Sequence, residues 1–86
     1  MKVLIPTPLR SYTGERHEVE GFGSTLNEVL VDLDRRYPGI RFRIIDEQDG
    51  IRRHIRIWVN REQVAGVGVP VGKGDEVVIY QALSGG

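Results

Sequence analysis

The sequence predicts an α+β fold, a mixed sheet of about five strands with one long helix packed on one face. Three observations carry that prediction. One segment, residues 25–37, repeats its apolar residues at clear helical spacing. Short runs rich in Val and Ile stand near both ends of the chain and again at residues 54–59. And 86 residues make one domain with a small core, so a lone helix must cover a sheet.

Taken in order, Val3-Leu4-Ile5 is apolar and β-branched and is halted by Pro6 and Pro8, which makes it the first strand. A loop through Ser11-Tyr12-Thr13-Gly14 leads to Arg16–Glu20, polar enough for an edge strand and ended by Gly21 and Gly23. The helix begins at Ser24-Thr25, where Thr25 and Glu28 fit a capping box with Glu28 reaching back to the cap amide. Leu26, Val29, Leu30, Leu33 and Tyr37 form its apolar face. Asp32, Asp34, Arg35 and Arg36 fall on the other side, and Pro38-Gly39 ends it.

The stretch from Gly39 to Arg53 reads either as a short helical turn or as an extended segment, followed by a turn at residues 46–50. His54–Val59 then alternates, with Ile55, Ile57 and Val59 on one face and Trp58 on the other. A turn at residues 60–62, a short strand at Gln63-Val64 and a glycine-broken stretch precede the last strand, Glu76–Ala82. If the first and last strands are parallel neighbours, the helix belongs to the crossover between them. That arrangement is the β-grasp. Its core is expected between Leu26, Val29, Leu30 and Leu33 on the helix and Val3, Ile5, Ile57, Val59, Val77 and Ile79 on the sheet.

Composition narrows function. Twelve basic residues balance 12 acidic ones, so there is no overall attraction to nucleic acid or an anionic membrane. Without Cys there is no disulfide framework, thiolate nucleophile or zinc-finger set. No apolar run resembles a signal peptide or spans a bilayer, and the cytoplasm is the expected compartment.

The chain closes on Gly85-Gly86 after the strand-like "GDEVVIYQALS". Glycine has no side chain to pack and loses the most backbone entropy on ordering, so this pair does little for the fold. At an average glycine usage of about 7%, chance gives such an end in roughly one chain in two hundred. The expected organisation is a β-grasp domain over residues 1–82 and a flexible tail over residues 83–86.

A small β-grasp chain with Gly74-Asp75-Glu76-Val77 before its last strand and a closing Gly85-Gly86 resembles the ThiS/MoaD-type sulfur carriers, which are related to ubiquitin. Trp58-Val59-Asn60 with Val64 adds to the likeness. Ile5–Arg10 followed by Thr13-Gly14 is similar to the carriers that serve cysteine biosynthesis.

The resemblance implies that Gly86 is the working residue. A ubiquitin-activating-like adenylyltransferase/sulfurtransferase would join its carboxylate to AMP from ATP, and sulfur would then displace AMP to leave a thiocarboxylate. Leu83, Ser84 and Gly85 would thread the partners' active sites, since glycine passes a narrow channel at any φ/ψ. Ser84 departs from the small apolar pair often found before the glycines. The carrier would hold no catalytic group, metal or bound cofactor, with ATP used by the activating partner. It would be a monomer when free and would deliver sulfur to a biosynthetic enzyme, with a pyridoxal-phosphate-dependent one among the candidates. The alternatives are a ubiquitin-like modifier conjugated through Gly86 and the small subunit of a molybdopterin synthase.

If the first and last strands end at the same edge, Leu9 and Arg10 stand beside the tail and are expected, with Leu83, to dock partners. The competing expectation is that Leu9 plugs the open end of the core. Other features read as structural. Gly66, Gly68 and Gly72 miss the spacing of phosphate-binding loops. His17 and His54 lack ligand neighbours, and residues 46–50 lack the full calcium-loop pattern. Arg35, Arg36, Arg41, Arg43, Arg52, Arg53, Arg56 and Arg61 read as a solvated mixed surface, because acids are interspersed among them, rather than as a docking patch. Trp58 serves equally as a partner anchor or as packing beneath the 39–53 segment.

Overall fold

The computed structural model describes residues 1–82. Strands β1 (Lys2–Leu4), β2 (Glu18–Glu20), β3 (Ile55–Val59), β4 (Glu62–Gln63) and β5 (Glu76–Gln81) form one sheet in the order β2-β1-β5-β3-β4. β1 and β5 are parallel, with Val3 opposite Val77, and every other pairing is antiparallel. A parallel pair cannot be joined by a tight turn, so the chain between its members carries the helices. This is the mixed five-stranded sheet that the sequence predicts.

Helix α1 (Leu26–Arg36) lies on one face of the sheet. Leu26, Val29, Leu30 and Leu33 are fully buried, and so are Val3, Ile57 and Val77. Ile5 and Ile79 are nearly so, while Val59 packs at the margin of the same core.

The amides at the start of α1 have no partner within the helix and must find one elsewhere. Thr25 Oγ1 accepts from the Glu28 amide at 3.2 Å. Glu28 reaches one residue further back than the capping box predicts, accepting from both the amide and the hydroxyl of Ser24 at 2.9 Å. Leu26 and Asn27 donate to the carbonyls of Val69 and Val67. The glycine-broken stretch is thus a backbone seal on the helix end, and the first amides of α1 are taken up by protein acceptors.

Two details depart from expectation and a third settles an open one. The loop after β1 is wound into a 3-10 helix, Thr7–Thr13, closed by Gly14 in the left-handed region at φ 63°. The ambiguous segment resolves into a one-turn helix α2 (Ile40–Ile44), then Ile45 bridged to Ile51 across the 46–50 turn. Ile40, Ile44 and Ile45 are fully buried, so this segment extends the core beyond the reach of α1. Asp32, expected on the outer side of the helix, is 8% exposed and receives Arg35 and Arg36. Burial pushes its carboxyl up, but hydrogen bonds and charge from Arg36 and Arg35 outweigh that and hold it below the usual carboxylate range.

Among the described residues, no helix is long and apolar enough to cross a membrane.

Candidate functional site

Because β1 and β5 run parallel, their C-terminal ends lie at one edge of the sheet. Leu4 is opposite Val78 there, two residues before Tyr80. The last described residue, Ala82, is pinned by its amide to the carbonyl of His54 at 2.8 Å. Leu83, Ser84, Gly85 and Gly86, the residues expected to form the working tail, lie outside the described residues.

Beside this edge runs a groove of about 580 Å³, with Leu4, Pro6, Pro8, Arg10, His17 and Tyr80 in its walls. Its shape follows from the sequence. Pro6 and Pro8 fix the backbone as it leaves β1. The 3-10 helix then turns Leu9 inward and Arg10 toward the groove. Leu9 is only 2% exposed and packs in the core cluster. It plugs the end of the core and offers no surface, so the expectation that it docks partners gives way to its structural alternative. Arg10 stays half-buried and donates from Nε to the Ile5 carbonyl at 3.0 Å, which aims its guanidinium along the groove.

The groove continues onto the open face of the sheet. Leu4, Val78 and Trp58 form a cross-strand row, and Tyr80 and Arg56 form the next. Trp58 meets Tyr80 edge to face, ring centres 6.3 Å apart, so it does not pack beneath the 39–53 segment. Tyr80 remains 52% exposed. Leu4 and Tyr80 went unmarked in the sequence reading, although their alternation with buried Val3 and Ile79 puts them on the outer face.

On the far side of Gln81 a second cleft, about 270 Å³, is lined by Phe42, Arg43, Arg52 and His54. Arg52 donates to the Phe42 carbonyl at 2.6 Å, and its guanidinium sits 4.5 Å over the Phe42 ring.

No group of His, Asp or Glu among the described residues could hold a metal ion. The carboxylate of Asp46 accepts from the amides of Gly50 and Gln48, both at 2.9 Å, which makes it the lock of a turn. These two bonds, Gly50's foremost, lower its pKa. Among the described residues, the edge supplies shape, apolar contact and positive charge.

The sequence matches the model of the ThiS family over residues 3–86. It is 38% identical over 89 residues to the sulfur carrier protein CysO of Mycobacterium tuberculosis, covering 98% of this chain and 96% of that protein. Among solved structures, a chain of the Amycolatopsis orientalis BexX/CysO complex superposes with a TM-score of 0.90 at 38% identity, covering 99% of this chain and 98% of that one. Small archaeal modifier protein 1 of Methanosarcina acetivorans superposes at 0.80 with 26% identity, over 99% of this chain and 94% of its own.

Proposed function

The chain belongs to the ThiS family, and from that premise we propose that it is a sulfur carrier of cysteine biosynthesis whose working group is the Gly86 carboxylate. It is a carrier rather than an enzyme, acted on by its partners. The observation that carries the reading is likeness over 98% of this chain to CysO, a sulfur carrier by name, with Gly85-Gly86 inside the region that matches the family. The tail edge described above, which offers a groove with apolar walls and Arg10, supports it.

A carboxylate is a poor electrophile and must be activated. A ubiquitin-activating-like enzyme joins the Gly86 carboxylate to the α-phosphate of ATP and releases pyrophosphate. A sulfur nucleophile then attacks the acyl carbon, the bond to AMP breaks, and the thiocarboxylate remains. Glycine suits this step because no Cβ crowds the attacked carbonyl. Four residues beyond Ala82 reach at most about 14 Å when extended. An enzyme that acts on Gly86 must therefore approach the groove and Arg10, which makes this edge its docking surface. A sulfur-accepting biosynthetic enzyme uses the same edge in turn.

Intact-mass measurement after incubation with the activating enzyme, ATP and a sulfur source tests the reading. The expected gain is that of one oxygen exchanged for one sulfur, and it should vanish when Gly86 is deleted. A truncated chain that is loaded as well as the full one would overturn it. The likeness to small archaeal modifier protein 1 favours a second reading, conjugation of Gly86 to amines of other proteins. Gly86-dependent adducts of high mass in cells would distinguish it.

A further inference from the structure

Eight of the chain's ten arginines fall into two sets in space, and Arg16 and Arg61 belong to neither. On the helix side, Arg35 and Arg36 pair with Asp32, and Arg41 pairs with Asp49 at 3.3 Å. Around the root of the tail, Arg10, Arg43, Arg52, Arg53 and Arg56 form no ion pair among the described residues. Three of the five are nonetheless held in place. Arg10, Arg52 and Arg56 each donate to backbone carbonyls, and Arg52 also rests on the Phe42 ring. Carbonyls and an aromatic face orient a guanidinium without neutralising it, so the positive charge stays available.

The placement is collar-like. Gln81 lines both the groove that holds Arg10 and the cleft that holds Arg43 and Arg52. Arg56 lies opposite Tyr80, and Arg53 shares a third hollow with Arg52 and Arg56. Cationic side chains therefore stand on both flanks of the strand that leads into the tail.

We propose that this collar is a docking surface for the acidic face of a protein partner, and that it steers that partner onto the tail root. The proposal deepens the carrier reading and rests on it for the partner's role. Unpaired guanidiniums, three of them oriented, call for carboxylates, which they bind in two-pronged fashion. The chain as a whole is neutral, and Glu18 and Glu20 line the sheet edge at β2, which disfavours a long polyanion. The apolar row of Leu4, Val78 and Trp58 runs on from the collar and suits a protein surface rather than a nucleic acid backbone.

The test uses the full chain, labelled with nitrogen-15, and a twelve-residue alternating Asp-Glu peptide as the probe. At about 0.1 M ionic strength, amide shifts are expected at residues 10, 43, 52–56 and 80–82, and they should collapse near 1 M, where the screening length falls from roughly 10 to 3 Å. The triple variant Arg43→Gln/Arg53→Gln/Arg56→Gln removes only exposed side chains. It should keep a native amide spectrum and bind the peptide at least tenfold more weakly, whereas Arg35→Gln should bind it as the wild type does.

Shifts centred on α1, or wild-type affinity in the triple variant, overturn the proposal. So does a DNA oligonucleotide of equal charge binding the same residues more tightly than the peptide. With the activating enzyme, the triple variant should show a KM raised at least tenfold for the carrier. An unchanged KM sinks the collar and leaves the carrier reading standing, whereas wild-type protein that never gains sulfur sinks the carrier reading and leaves the peptide result intact.

Discussion

The two faces of the sheet are built from alternate residues of the same strands, yet they meet different surroundings. On the covered face Val3, Ile57, Val77 and Ile79 lie beneath Leu26, Val29, Leu30 and Leu33 and are essentially closed to solvent. On the open face, one residue along each strand, Leu4, Val78 and Trp58 are half-buried and Tyr80 is exposed. The first face holds the domain together. The second, continuous with the groove, is the face that α1 leaves uncovered. Strand alternation thus separates a covered face from an open one within three strands.

The largest expected effect lies on the covered face. Leu30→Ala should destabilise the domain by about 2–5 kcal/mol, read from urea unfolding, because a fully buried side chain leaves both its transfer energy and a cavity behind. A loss below about 0.5 kcal/mol would erase the distinction between the faces. On the open face, Tyr80→Thr keeps a good strand former and loses the edge-to-face contact with Trp58, so about 0.5–1 kcal/mol is expected. The same variant should be activated more weakly than wild type. If instead it unfolds as Leu30→Ala does, the open face is structural after all.

The smallest effect is confined to acid. Asp32, Glu28, Asp46 and Asp75 all have lowered pKa values. Glu28 is lowered first by the Ser24 amide, and Asp75 first by the Asn60 side chain and then by the Gly72 amide. Carboxyls whose folded pKa lies below the unfolded value stabilise the fold above that value, about 3.9 for Asp and 4.3 for Glu. Their contribution fades as pH falls through the lower, folded pKa. Urea midpoints should therefore hold level from neutral pH to about pH 4 and drop below it. A midpoint that rises below pH 4 would reverse the assigned direction.

Much of this was legible in the sequence, for identifiable reasons. The helix was, because its apolar period, cap and Pro-Gly stop agree. The succession of strands along the chain was, because β-branched runs are punctuated by glycine and proline. Leu9 was misplaced because the 3-10 winding of Thr7–Thr13 sets which way it points, and a loop with two prolines gives no periodicity to reveal that winding. Asp32 looked exposed because its neighbours are charged, yet Arg35 and Arg36 fold over it. The collar was hidden for a related reason. Arginines and acids alternate along residues 41–62, but folding pairs some arginines on the helix side and leaves others together at the tail root. Charge segregation in space cannot be read from charge mixing along the chain.

The position of β5 has a consequence for how the protein is made. It lies at the centre of the sheet, and Lys2 pairs with Glu76 across most of the sequence. As the chain leaves the ribosome, β1 and β2, α1 and β3 all emerge before the strand that joins them. The central pairing waits for residues 76–81, and non-local pairing of this kind is slow to form. The groove needs β1 and β5 side by side, so it exists only once translation has passed β5 and the sheet has closed. An aborted or misfolded chain lacks that groove, so a partner of the kind proposed above would engage only chains whose sheet has closed.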